Sequence, residues 1–387
     1  MDRNSQDTTR FRICFVLSYF FPLQSGAERQ ALEQATELIR QGHEVHVLTR
    51  AVPGLKRDDS VRGVRVHRWV KLCRMGPLFG LSFLTGFMKG LARLRPQYDL
   101  IHTHQALWEA AAVGLFRLRF PEVPSVVQPA SSGYYGEAQE LGRTRGARWL
   151  RSLILNNSRF ATISDDIGRE WLELGVSKNQ LFPTASGVDT RRFHPGASAF
   201  ENALPAGRPR VMFTGRLHPQ KNLFLLLDAW TQVVQRIPAH LILIGEGPDR
   251  YAIEQRIAAQ GLQNTVHLLG AVADPGEYLR GADVFVLPSL AEGMSNSLLE
   301  AMATALPCLA SDIGGNQDLI SSGENGLLLP TDQPGAWAEA LIEYLAQSQL
   351  RSEIGQAGLR FIQEKHSISS VVNHNQSLYA ELLGSRP

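Results

Sequence analysis

Short runs rich in β-branched and aromatic residues alternate with helix-patterned segments along most of the chain, and this alternation restricts the fold more than any other feature. From residue 11 the series reads ICFVLS, a helical pattern over 26–41, EVHVLT, VRVHRWV, a helical pattern over 78–93, LIHTH, then 106–118, SVVQP, 143–156, RFATIS and 164–174. Strands separated by helices predict βαβ units around a parallel sheet. Residues 187–210, GVDTRRFHPGASAFENALPAGRPR, break the pattern with Pro, Gly and Asn and read as a linker. The alternation then restarts: RVMFTG, a helix after Lys221, HLILIGEG, a helix over 249–260, TVHLLG, DVFVLPS, the helix SLLEAMA, PCLAS, GLLLP, and helical patterns from about 333 to 364. A chain of 387 residues can hold two domains, each with its own core. The expected division is 1–186 and 187–367, with a last helical pattern within 368–387 able to pack on either domain. The expected class is α/β, two doubly wound domains facing each other across a cleft, with ligands outside the carboxyl ends of the strands.

A net charge of +2 is too small to suggest a nucleic-acid partner, yet residues 60–98 hold eight Arg or Lys and no Asp or Glu. The three cysteines, Cys14, Cys73 and Cys308, are scattered, two of them in strand-like runs, which fits buried reduced thiols and a cytoplasmic location. The opening MDRNSQDTTRFRICFVLSYFFPLQSGAERQ has Arg before an apolar run, as a signal peptide does. The run passes at once into a helical pattern, so a first buried strand is the expectation. No apolar stretch reaches the roughly 20 residues a membrane span needs, and the chain is not expected to be transmembrane.

Four constellations suggest chemistry. In PSLAEGMSNSLLEAMA, Glu292 and Glu300 lie among small and apolar residues, where a carboxylate is costly unless something binds it. Ser295 or Asn296 is the expected N-cap of the helix that follows, which places Glu292 before it and Glu300 inside it, on the order of 12 Å apart at full helical spacing. The pair either grips two ends of an elongated ligand or lies on the surface, and the helix start offers N–H groups and a positive dipole end to phosphate. In FTGRLHPQKN, a strand ends at Gly215, and Arg216 and Lys221 follow in one loop. Two such cations suit a diphosphate, with charge-assisted bonds contributing about 1.5–3 kcal/mol each, or else form a solvated loop. Gly26, at the start of the helix after LSYFFPLQS, permits close backbone approach to a ligand or simply makes a turn. Neither a P-loop nor G-x-G-x-x-G is present, which argues against a nicotinamide cofactor. In DLIHTHQ, the two-residue strand period puts His102 and His104 on one face, as buried histidines or as a cleft pair. With no third ligand spaced nearby and no D-x-D pair, no metal site is expected.

These pieces, in this order, resemble the retaining glycosyltransferases of family 4, which have the GT-B fold of two Rossmann-like domains. SGAERQ with GHEVHVLT, IHTHQ, ISDDI, GVDTRRF, TGRLHPQKN, LIGEGP, VHLLG, GADVFVLPS, EGMSNSLLEAMA and GGNQDLI carry the resemblance. It implies an acceptor-binding N-terminal domain, a nucleotide-sugar-binding C-terminal domain and no cofactor. Arg216 and Lys221 would hold the donor diphosphate, Glu300 the ribose hydroxyls and Glu292 the transferred sugar. Backbone at Met294, Ser295 and Asn296 would meet the phosphates, with Gly26, Gly215 and Gly245 also on the donor. Glu292, Arg216 and Lys221 are thus the implied catalytic set, without a protein nucleophile or a metal. Ser25 stands where many relatives have a glycine. Gln128, Pro129 and Ala130 stand where many have a histidine after the strand, leaving His104, Gln128, Ser131 and Ser132 as candidates on the acceptor side.

Arg62, Arg65, Arg68, Lys71, Arg74, Lys89, Arg93 and Arg95 accompany the apolar run GPLFGLSFLTGFMKGLARL, and GRTRGARWLRSLI is a second basic helix. Cations beside apolar residues suit an anionic membrane surface, each adding about 1 kcal/mol, and suit equally a buried helix with a solvated edge. The expectation is a transferase at the inner face of the cytoplasmic membrane, moving a hexose or N-acetylhexosamine from a UDP- or GDP-sugar to a glycan or lipid-linked acceptor in cell-surface polysaccharide biosynthesis. A sugar-nucleotide 2-epimerase and a non-catalytic sugar-nucleotide- or glycan-binding subunit are the alternatives.

Overall fold

The structure is a computed structural model that describes residues 10–23, 25–73, 78–133, 136–144, 146–198 and 207–384. The chain forms two compact units: one runs to Ala185 and takes up the chain again from Val371, and the other is Ser186–Ser370.

The first unit is built from β1 (Arg12–Val16), α1 (Gly26–Arg40), β2 (Glu44–Arg50), β3 (Asp58–Val61), β4 (Val64–Val70), α2 (Leu78–Leu94), β5 (Leu100–Thr103), α3 (Trp108–Arg117), β6 (Ser125–Val127), α4 (Glu137–Arg143), α5 (Ala147–Ile154), β7 (Arg159–Thr162), α6 (Asp165–Glu173) and β8 (Leu181–Pro183). Its sheet has the order β3-β4-β2-β1-β5-β6-β7-β8. Every neighbour is parallel except β3, which pairs antiparallel with β4. The alternation did not reveal β3, because DDSV is a short acidic edge strand with no apolar pattern. Arg62 and Gly63, both at positive φ (51° and 84°), turn the chain between Val61 and Val64. The single helix expected over 143–156 is instead the end of α4 and the whole of α5, with Gly146 left-handed at φ 80° before α5.

The second unit contains β9 (Arg210–Thr214), α7 (Leu223–Arg236), β10 (His240–Ile244), α8 (Arg250–Ala259), β11 (Val266–Gly270), α9 (Pro275–Leu279), β12 (Val284–Leu287), α10 (Asn296–Ala303), β13 (Cys308–Ser311), α11 (Gly314–Gln317), β14 (Leu327–Leu329), α12 (Pro334–Ala346) and α13 (Ser348–Phe361). All pairings in its six-stranded sheet, β11-β10-β9-β12-β13-β14, are parallel. β9, β10 and β12 are buried along their whole length, the signature of strands covered on both faces.

α14 (Ile368–Gly384) begins in the second unit and continues in the first. There the Tyr379 hydroxyl lies 2.7 Å from His102 Nδ1, Asn375 accepts from Thr184 Oγ1 at 2.7 Å, and Glu381 pairs with Arg159 at 2.6 Å.

Candidate functional site

Strand order in the second sheet reverses between β9 and β12, so the loops leaving these neighbours diverge and leave a crevice at their carboxyl ends. Both loops carry charge. After β9, Gly215 and Arg216 lead to a 3₁₀ turn, Pro219–Lys221, which His218 caps by accepting from the Gln220 N–H at 3.2 Å and which ends at Asn222 in the left-handed region. After β12 come Ser289, Glu292, Gly293 and then Ser295, the N-cap of α10. The two loops are zipped together: the Leu290 N–H donates to Gln220 O at 2.8 Å and Gln220 Nε2 to Ala291 O at 2.7 Å. This zipper brings Lys221 Nζ onto Glu292 Oε1 as an ion pair, and Ser289 Oγ donates to the same oxygen at 2.6 Å. The pair is mostly buried, with side-chain exposures of 15% and 10%.

Backbone packing excludes a side chain at two glycines beyond strand ends, Gly245 and Gly315. A Cβ at Gly245, where φ is 143°, would stand 1.8 Å from Gly215 O, so the loops after β9 and β10 touch backbone to backbone. A Cβ at Gly315 would stand 2.2 Å from Gly293 O and 2.6 Å from Glu292 O, which presses α11 against the Glu292 loop. Asn296 opens α10, Glu300 lies buried within it, and Met294 Sδ sits 3.2 Å from the Ser186 amide nitrogen. Arg216 is exposed on the same loop as Lys221. The result is a cation, a carboxylate and a helix N-terminus at one switch point, chemistry suited to an anion that also bears hydroxyls.

The first sheet reverses between β1 and β5. Ser18, just beyond β1, donates to Glu109 of α3, a carboxyl pushed up by burial. His102 is fully buried, and burial pushes its imidazole down to about 3. His104, 1% exposed, stacks on it at 4.4 Å between ring centres and is also held well below the usual imidazole range by burial and by His102. Both rings are therefore neutral near pH 7. Gln128 and Ser132 are buried and Ser131 is half-buried in the loop after β6. Gly26 is the exposed first residue of α1. Ser25 before it is the N-cap, giving its N–H to Glu28 at 2.8 Å and its hydroxyl to the same carboxylate, a capping box that explains a serine at this position.

Residues 24–192 match the family described as Glycosyltransferase Family 4, and residues 208–347 match Glycosyl transferases group 1. The chain belongs to the family 4 glycosyltransferases. It is 27% identical over 353 residues to UDP-Gal:alpha-D-GlcNAc-diphosphoundecaprenol alpha-1,3-galactosyltransferase of Escherichia coli, covering 87% of this chain and 88% of the relative. It is 28% identical over 387 residues to the phosphatidyl-myo-inositol mannosyltransferase of Mycobacterium tuberculosis, covering 97% and 98%. Sucrose-phosphate synthase from Thermosynechococcus elongatus shares the fold with a TM-score of 0.80 at 23% identity, over 97% of this chain and all of that one. The fold is GT-B, and the protein is a transferase.

In this glycosyltransferase the structure joins Lys221 to Glu292, sets Gly215 and Gly245 in contact, and puts Ser295 and Asn296 at a helix start. His104 is 1% exposed, and its ring centre lies 4.5 Å from that of Phe15. The basic window is not a field of unopposed charge. Arg62 pairs with Glu33, Arg65 with Glu44, Arg68 with Asp59 and Arg95 with Glu122, all acids outside the window, and Arg93 lies over the Trp69 ring. Sequence proximity concentrated the cations, and folding brought the acids to them. Lys71 and Lys89 are exposed; Arg74, like Arg145 in the second basic helix, lies outside the described residues. Sequence reasoning missed Ser18, Glu109, Glu137 and Ser289. Glu137 stands among polar neighbours at a helix start and looks solvated, whereas Glu109 interrupts the apolar run ALWEAAAVGLF, the same kind of signal that singled out Glu292. Among the described residues no helix is long and apolar enough to cross a membrane.

Proposed function

We propose that this enzyme transfers a hexose or N-acetylhexosamine, with retention of configuration, from a UDP- or GDP-sugar held on the second unit to a lipid-linked glycan held on the first. The supporting observation is the Lys221–Glu292 pair at the β9/β12 switch point, beside the α10 N-terminus. Lys221 and Arg216 take the diphosphate, Glu292 a hydroxyl of the moving sugar, and Glu300 the ribose. The bond between the anomeric carbon and the diphosphate oxygen breaks, and the two cations meet the charge that develops there. The acceptor oxygen forms the new bond on the same face and gives its proton to the departing phosphate. No resident cofactor or metal is required in this scheme. The lipid-linked acceptors named for the Escherichia coli and mycobacterial relatives support a lipid-linked acceptor here, with work at the cytoplasmic face of the membrane and a role in cell-surface polysaccharide. Lys71 and Lys89 are exposed in the first unit and in this reading would meet the anionic lipid surface.

The test incubates the enzyme with UDP-galactose or GDP-mannose and vesicles carrying N-acetylglucosaminyl-diphospho-undecaprenol, with chelator in one arm. The expected result is acceptor-dependent nucleotide release and an α-linked product by NMR. A β-linked product would overturn retention, and epimer formation from the donor alone would favour an epimerase. Donor binding without turnover on this acceptor or a panel of lipid-linked glycans would leave a binding subunit.

A further inference from the structure

Two carboxylates hold the backbone of the loop after β6, which begins with Gln128, Pro129 and Ala130. Glu137, the first residue of α4, accepts the Ala130 N–H on one oxygen at 2.7 Å and the Ala106 N–H, from the loop after β5, on the other at 2.9 Å. Glu170 of α6 accepts the Gly133 N–H at 2.7 Å. The chain is pressed tight between these points: a Cβ at Gly136 would stand 2.7 Å from the Ser132 carbonyl carbon and 2.8 Å from its Cα. Glu137 is 8% exposed, so its carboxylate is an expensive way to satisfy two N–H groups unless their spacing matters.

We propose that Glu137 is a positioning residue for the acceptor: it ties the loop of Gln128, Ser131 and Ser132 to the loop after β5 and so sets which acceptor the first unit takes. The inference rests on the reading of that unit as the acceptor side. Burial pushes the Glu137 carboxyl up to about 7; the Ala106, Ala130 and Ser131 amides act to lower it, and Glu109 of α3, the titratable neighbour that acts on it, raises it. Above that pH both oxygens accept. Below it one carries a proton, and the clasp weakens.

The experiment compares wild type, Glu137→Gln and Glu137→Asp, with UDP-galactose as donor and N-acetylglucosaminyl-diphospho-undecaprenol vesicles as acceptor, alongside hydrolysis of the donor by water. In Glu137→Gln the acceptor KM is expected to rise about ten-fold, the value of one lost buried hydrogen bond, while donor KM and hydrolysis stay within about two-fold. Partial recovery in Glu137→Asp supports the clasp. Wild-type kcat/KM for the acceptor should inflect near pH 7, and that of Glu137→Gln should not. An unchanged acceptor KM, or equal losses in transfer and hydrolysis, would overturn the proposal. If Glu137→Gln does not fold, the wild-type pH profile decides, and a flat one overturns it. If wild type hydrolyses donor but transfers to no lipid-linked glycan, the acceptor reading fails, and amide exchange judges the clasp alone. Faster exchange at Ala106 and Ala130 in Glu137→Gln, with β9 unchanged, supports it; unchanged exchange overturns it.

Discussion

Lys221 and Glu292 neutralise one another in the free protein, so a ligand must compete for each. In the proposed reaction a diphosphate would displace Glu292 from Lys221, and the released carboxylate would become an acceptor for a sugar hydroxyl. Glu292→Gln keeps the volume and one acceptor oxygen but removes the charge. Transfer kcat should fall about 10²–10³-fold, the range for loss of one well-placed transition-state contact. UDP binding by calorimetry should hold or tighten, because Lys221 loses its internal competitor. Wild-type turnover in this variant would remove Glu292 from the reaction. Glu292 was legible in the sequence because it interrupts an apolar run. Glu137 was not, since GEAQELGR reads as a solvated helix start and only the surrounding fold buries it.

At the scale of elements, the loops at strand ends are shaped by backbone contact. Gly245 shows this best: with φ at 143° and Gly215 O 1.8 Å from the site of a Cβ, an added methyl must push the loops after β9 and β10 apart. Gly245→Ala is therefore expected to cost about 2–4 kcal/mol in urea unfolding, combining overpacking with backbone strain. It should also weaken UDP binding, since the β9 loop carries Arg216 and Lys221. Full stability in this variant would mean that the loops separate freely. The element types followed from alternation, whereas their edges did not. β3 escaped because edge strands avoid apolar patterning, and the split between α4 and α5 depends on a left-handed Gly146.

For the molecule as a whole, opposing groups within the first unit contribute to acid stability. Between pH 6.5 and about 3, the unfolded chain takes up a proton at His102 that the folded protein refuses, so acidification destabilises by about 1.4 kcal/mol per pH unit; His104 acts in the same direction. Glu137 opposes this. From about pH 7 down to 4.5 its folded carboxyl is already protonated and the unfolded one is not, so acidification stabilises at a similar slope. Glu137→Gln removes that offset, and its stability should fall about 1.4 kcal/mol per pH unit faster than wild type between pH 6.5 and 4.5, read from urea unfolding at each pH. Equal slopes would show that Glu137 titrates as an ordinary carboxylate.

The sequence by itself determined the two parallel-sheet units, the family and the charged residues proposed to meet the donor, because strand and helix periodicity and a carboxylate in apolar company are local properties. Tertiary structure decided which charges meet. It set Lys221 on Glu292 across 71 residues, brought Glu33, Glu44, Asp59 and Glu122 to the basic window, and returned Tyr379 of α14 to His102 across 277. Burial and pairing depend on chain segments far apart in sequence, and only the packed sheets bring them together.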